Sequence, residues 1–88
     1  MKHVILDCSL MTDDRAVHDI FSRELDFPAS YGRNLDALYD LLSASGELTL
    51  TLANADALKK LFRYGDNLLL TLKDADAANP LLTLEIQA

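Results

Sequence analysis

Short apolar runs alternate along this chain with longer stretches in which apolar residues recur every three or four positions. His3-Val4-Ile5-Leu6-Asp7 is brief and rich in branched residues, which predicts a buried strand. Thr12, Asp13 and Asp14 follow as helix-starting residues, whose oxygens and charge suit the unsatisfied first N–H groups. From Ala16 onward Val17, Ile20, Phe21 and Leu25 share one helical face, and Phe27-Pro28 is expected to close that helix, because the residue before a proline avoids the α region. Gly32 permits a tight turn. Asn34 then caps a second helix running to about Ala44, with Gly46 as its stop. Leu48 to Leu52 alternates leucine and threonine at period two, as a strand does. Asn54 or Asp56 predicts a third helix carrying Leu58, Leu61 and Phe62, stopped by Gly65. Asp66 or Asn67 opens a fourth, through Leu72 to about Ala77, although Leu68 to Leu72 also reads as a strand. Asn79-Pro80 is a turn, and Leu81 to Ile86 a last strand.

The resulting order is β-α-α-β-α-α-β. Strands joined by helical crossovers favour a parallel sheet with right-handed connections. The expected fold class is therefore α/β: a three-stranded parallel sheet packed with about four helices. A length of 88 residues leaves room for one domain, spanning residues 1–88. Half the residues are hydrophobic and 25% are charged, which suits a compact globule. The net charge of -6, from 14 acids against 8 bases, argues against nucleic acid and anionic membranes as partners and favours a cationic protein. Cys8 is the lone cysteine, so no internal disulfide is expected. Val4-Ile5-Leu6 is too short for a leader, and no run approaches the ~20 apolar residues of a membrane span. These features set the expectation of a cytoplasmic protein that is a monomer when free.

On a wheel of 100° per residue, the second helix turns Leu35, Leu38 and Leu42 to one side, with Leu41 at the edge. Asp36 and Asp40 lie together on the other side, one turn apart, flanked by Ala37 and Ala44. Tyr39 sits on the border beside Ser43. Two like charges at this spacing cost a helix a few tenths of a kcal/mol, roughly. The dipole at the helix start accounts for Asp36 and accounts less well for Asp40. A solvated helix face is the plainest explanation of the pair; a docking surface is the sharper one.

Enzyme chemistry fits poorly. A carboxylate pair can serve as acid and base, but an open helix face does not separate their pKa values as a cleft does. His3 and His18 form no metal-binding or catalytic pattern and read as ordinary surface or core-edge residues. Cys8 lacks a basic neighbour and reads as a small buried thiol. Gly32, Gly46 and Gly65 fall at element boundaries, not in a phosphate loop. Asp36 and Asp40 are too few oxygen ligands for a metal. The expectation is no enzyme, no catalytic residue, no metal and no cofactor.

Tyr31-Gly32-Arg33-Asn34-Leu35-Asp36-Ala37-Leu38-Tyr39-Asp40 closely resembles the motif of the barstar family, intracellular protein inhibitors of secreted bacterial ribonucleases. The resemblance spans nearly the whole chain, with Arg23 to Pro28 before the motif and a strand, two helices and a final strand after it. It implies the barstar-like fold and a function: an acidic helix and the loop before it plug the active site of a basic ribonuclease, where carboxylates mimic RNA phosphate. Carried over by residue, Asp40 matches the central acid and Asp36 the second. Tyr39 matches an aromatic at the helix edge, Asn34 the turn asparagine, and Tyr31 and Gly32 the loop. Asp66 matches a further acid reaching in from the side. With Ser43 beside Tyr39, these form the expected partner-binding set, engaging one ribonuclease or similar basic toxin per chain. Ser30 and Ser45 stand where aromatics are found in the family, and Arg33 reverses the charge of an acidic loop position. These departures point to a different ribonuclease, or to a non-inhibitory interaction module of the same fold.

Overall fold

The structure, a computed structural model, describes residues 2–88. It contains three strands, β1 (Lys2–Asp7), β2 (Leu48–Ala53) and β3 (Leu82–Ile86), and three α-helices, α1 (Asp14–Glu24), α2 (Leu35–Ser43) and α3 (Arg63–Ala78). Two 3₁₀ segments, Cys8–Leu10 and Ala55–Leu61, complete it. The sheet has the order β1-β2-β3 and is parallel throughout. This is the expected α/β fold, with the longer 3₁₀ segment as its fourth helix.

Register explains the core. Val4 lies beside Leu50 and Leu6 beside Leu52, while Leu48 pairs with Leu82. All six are buried and face the same side. Both crossovers step across the sheet in the same direction, so right-handed connections put every helix on that one face. Val17, Ile20 and Phe21 of α1, Leu38 and Leu42 of α2, and Leu68, Leu72 and Ala75 of α3 close the core over it. The other face stays open. Ile5 is 61% exposed there, while Thr51 is sealed by His3 and Glu85, whose side chains reach its hydroxyl at 3.0 and 2.9 Å. Parallel sheets are usually covered on both faces; this one survives half-bare because its outward positions are polar apart from Ile5 and the small Ala53.

Two expected caps are in place. The Asp13 carboxylate accepts from the Ala16 N–H at 2.8 Å, and the Asn34 side-chain oxygen from the Ala37 N–H at 2.7 Å. Other boundaries move. α1 ends at Glu24, before the proline, where Asp26 takes a left-handed φ of 56°. α2 ends at Ser43 with Ala44 as its C-cap, so Gly46 is not the stop. The third helix is a 3₁₀ segment, and its Asn54, at φ 56°, makes no side-chain cap. α3 begins at Arg63, not at Asp66 or Asn67, and takes in Leu68 to Leu72.

Gly65 accounts for the last shift. It is no terminator but lies in the first turn of α3, where a Cβ would overlap the Leu58 carbonyl. The missing side chain lets the 3₁₀ segment pack directly on the helix. Cys8 is fully buried as expected, and that burial pushes its thiol up to about 11, keeping it unreactive.

Candidate partner-binding site

The site is assembled around α2. Asn34 starts the helix, Leu38 and Leu42 anchor it in the core, and Leu35 and Leu41 are half-buried against that core. At its far end the buried Asn79 amide donates to the Leu42 carbonyl at 2.9 Å and to the Ser45 carbonyl at 3.0 Å. The helix is thus held at both ends and along one face. Its opposite face carries Asp36 and Asp40, both exposed. Neither carboxylate has a hydrogen bond or ion pair among the described residues. Tyr39 is half-buried on the margin, packed against the core. The Ser43 hydroxyl donates to the Asp40 carbonyl at 3.2 Å, so at rest it is tied to its own helix.

The preceding loop is pinned from beneath. Tyr31 is 8% exposed, and its hydroxyl meets His18 Nδ1 at 2.6 Å. The other ring nitrogen of His18 meets the Tyr64 hydroxyl at 2.5 Å. One buried imidazole therefore joins α1, the loop and the start of α3. Burial, with the Arg33 guanidinium nearby, lowers the His18 pKa, and burial raises that of Tyr31 to about 12. A neutral imidazole offers one donor and one acceptor, which suits two tyrosine hydroxyls. Phe27 packs on Tyr31 with ring centroids 4.8 Å apart. Tyr31 thus supports the loop, while Gly32 lies exposed above it.

Arg33 has a left-handed φ of 55° and turns its guanidinium back onto the Asp19 carboxylate of α1. The reversed loop charge is neutralised inside the molecule and does not confront Asp36 and Asp40. Beside Asp40 the small residues Ser30, Gly32 and Ala37 leave a hollow of about 180 Å³, walled by Pro28, Tyr31 and Leu41. Asp66 stands apart. It borders a different hollow, with Asp56, Lys59, Leu69 and Ile86, near the end of β3. The structure therefore brings together Gly32, Asn34, Asp36, Tyr39, Asp40 and Ser43 along α2 and its loop, with Tyr31 below them, while Asp66 comes from the first turn of α3. His18, Tyr64 and Asp19 are supports that sequence spacing did not reveal.

Comparison with known proteins settles the kinship. Residues 1–84 match the family described as Barstar (barnase inhibitor). The chain belongs to the barstar family. That description is of an inhibitor, in agreement with the expectation that the chain is not an enzyme. A protein of Bacillus subtilis (strain 168) named "Putative ribonuclease inhibitor YrdF" is 44% identical over 52 residues, covering 59% of this chain and 57% of that protein. The match thus spans little more than half the length of this relative. Among the described residues no helix is long and apolar enough to cross a membrane, and no cluster of three or more acidic, histidine or cysteine side chains is placed to hold a metal.

Proposed function

We propose that this barstar-family protein inhibits a basic, guanyl-specific ribonuclease in the cytoplasm, one copy per enzyme. The α2 face covers the active site, and Asp40 and Asp36 take the positions of RNA phosphates. The observation that carries the proposal is the pair of exposed, unpaired carboxylates on a helix whose other face is locked in the core. An enzyme that holds RNA phosphates presents Arg, Lys or His⁺, and carboxylates accept short charge-assisted hydrogen bonds from those groups. Because α2 is already ordered, little conformational freedom is lost on docking. Asn34, Tyr39 and Ser43 border the acids, and Gly32 lets the partner approach the loop backbone. Tyr31 supports this surface from beneath, and Asp66, exposed in the first turn of α3, supplies a further acid toward the partner.

Titration against a panel of microbial guanyl-specific ribonucleases tests the proposal. Inhibition of at least one enzyme with a 1:1 end point is expected. Folded protein that inhibits none of them, yet captures one reproducible partner without nuclease activity, points to the second reading, an interaction module of the same fold. Ser45 favours that reading, because its hydroxyl is turned inward to the Asn79 amide at 3.1 Å instead of serving as a surface anchor.

A further inference from the structure

One residue breaks three local rules at once. Phe62 is 80% exposed, the largest exposure among the big apolar side chains. It occupies the N-cap of α3, where Ser, Thr, Asp or Asn is favoured, and makes no side-chain cap. Its φ of 55° and ψ of -128° mirror extended backbone, a region open without strain only to glycine. Glycine would relieve the strain and the exposure together, yet a phenylalanine stands there. Rules broken without local compensation mark places where a surface serves something other than folding.

The surroundings of Phe62 define what it meets. Lys59, Lys60 and Arg63 flank it and are exposed, so three of the chain's 8 cations gather within five residues. Lys60 reaches the Ser9 carbonyl at 3.1 Å, while Lys59 and Arg63 have no hydrogen bond or ion pair among the described residues. This is an aromatic knob flanked by three cations, with Asp56 and Asp66 close by, so the segment is net positive by one charge on an otherwise acidic protein. Its complement is an apolar hollow with a carboxylate rim, and the same chain carries one. The hollow beside Asp40 holds about 180 Å³, below the ~300–1,000 Å³ of small-ligand pockets and on the scale of one side chain. Its apolar wall comes from Pro28, Ala37 and Leu41, unpaired Asp40 lies at its rim, and Asp36 stands one helical turn before Asp40 on α2.

We propose that this surface docks a second copy of the chain, with Phe62 of one molecule seated in the Ser30–Gly32–Ala37 hollow of the next and Lys59 and Arg63 facing its Asp36 and Asp40. One such contact leaves a free knob and a free hollow, so the pair either closes reciprocally into a two-fold dimer or adds further copies head-to-tail. It is small and transient, with a dissociation constant of about 0.1–1 mM, and dilute protein remains monomeric. The contact hides the acidic α2 face, so any cationic partner of that face competes with it. The proposal rests on these two surfaces and stands whether or not the partner is a ribonuclease.

Sedimentation equilibrium between dilute and millimolar concentrations tests it. The weight-average mass of the wild type rises with concentration. Phe62→Gly, which takes the same backbone without strain, and Asp40→Asn each stay monomeric. An equimolar mixture of the two variants recovers a dimer and nothing larger, because it contains one intact knob and one intact hollow. A wild type that stays monomeric at millimolar concentration overturns the proposal. So does association that survives both substitutions, or a mixture that fails to dimerise. Phosphatidylserine vesicles provide the last arm: monomeric protein that binds them through Phe62 also overturns it.

Discussion

His18 is held at both ring nitrogens, and the physics of a second proton there is unfavourable. Burial lowers its pKa first, the Arg33 guanidinium lowers it further, and Asp14 and Asp19 only partly oppose them. The folded-state value therefore lies below the usual 6.5. Below pH 6.5 the unfolded chain takes up the proton first, so folding stability is full above that pH and falls as the pH falls toward the folded-state value. Denaturant melts at pH 7.5 and 5.5 are expected to show a lower midpoint at the acid pH, with most of the difference gone in His18→Gln. Tyr64→Phe removes one hydroxyl from the imidazole and is expected to cost about 1 kcal/mol by the same melts. None of this was legible in the sequence. His18 meets residues 13 and 46 positions away, and a lone histidine on a helical face carries no mark of such partners. Asp19 and Arg33 were hidden for the same reason. The acids of α2 were legible, because helical periodicity alone separates Asp36 and Asp40 from Leu38 and Leu42.

Among the elements, α2 depends on its caps. Asn34→Ala is expected to cost about 1 kcal/mol of stability in thermal melts through loss of the bond to the Ala37 N–H. It also frays the turn bearing Asp36, so partner affinity falls with it. α3 depends on a packing contact. Gly65→Ala forces a Cβ into the Leu58 carbonyl and is expected to cost roughly 1–3 kcal/mol, read from the denaturation midpoint. A cost below a few tenths of a kcal/mol would show that the 3₁₀ segment moves aside freely. These two positions mark what could be read in advance. An N-cap is local chemistry: Asn34 names its own role, and strands β1 and β2 follow as directly from short apolar runs. Gly65 reads locally as a stop, whereas its reason is the backbone of Leu58, seven residues earlier. The motif around Tyr31 to Asp40 marked the helix proposed to meet the partner. It did not show that Tyr31 lies beneath the surface or that Asp66 borders another hollow.

At the scale of the whole molecule, a net charge of -6 coexists with one face of unpaired acids and one small cationic knob. Long-range attraction to a basic enzyme is screened by salt, so association is expected to slow roughly tenfold from low to high ionic strength in stopped-flow mixing, with a much smaller change in dissociation. The one-sided sheet gathers every helix on one face, and the core beneath holds α2 and its loop in place. The most direct test of the account compares ribonuclease inhibition by the wild type and by Asp40→Ala against a sensitive enzyme, with folding of the variant checked in parallel. Asp40→Ala is expected to keep its fold and to lose inhibition by about 10–100-fold, the equivalent of one or more hydrogen bonds to a charged group. A folded Asp40→Ala that inhibits as well as the wild type would contradict the phosphate-mimic mechanism.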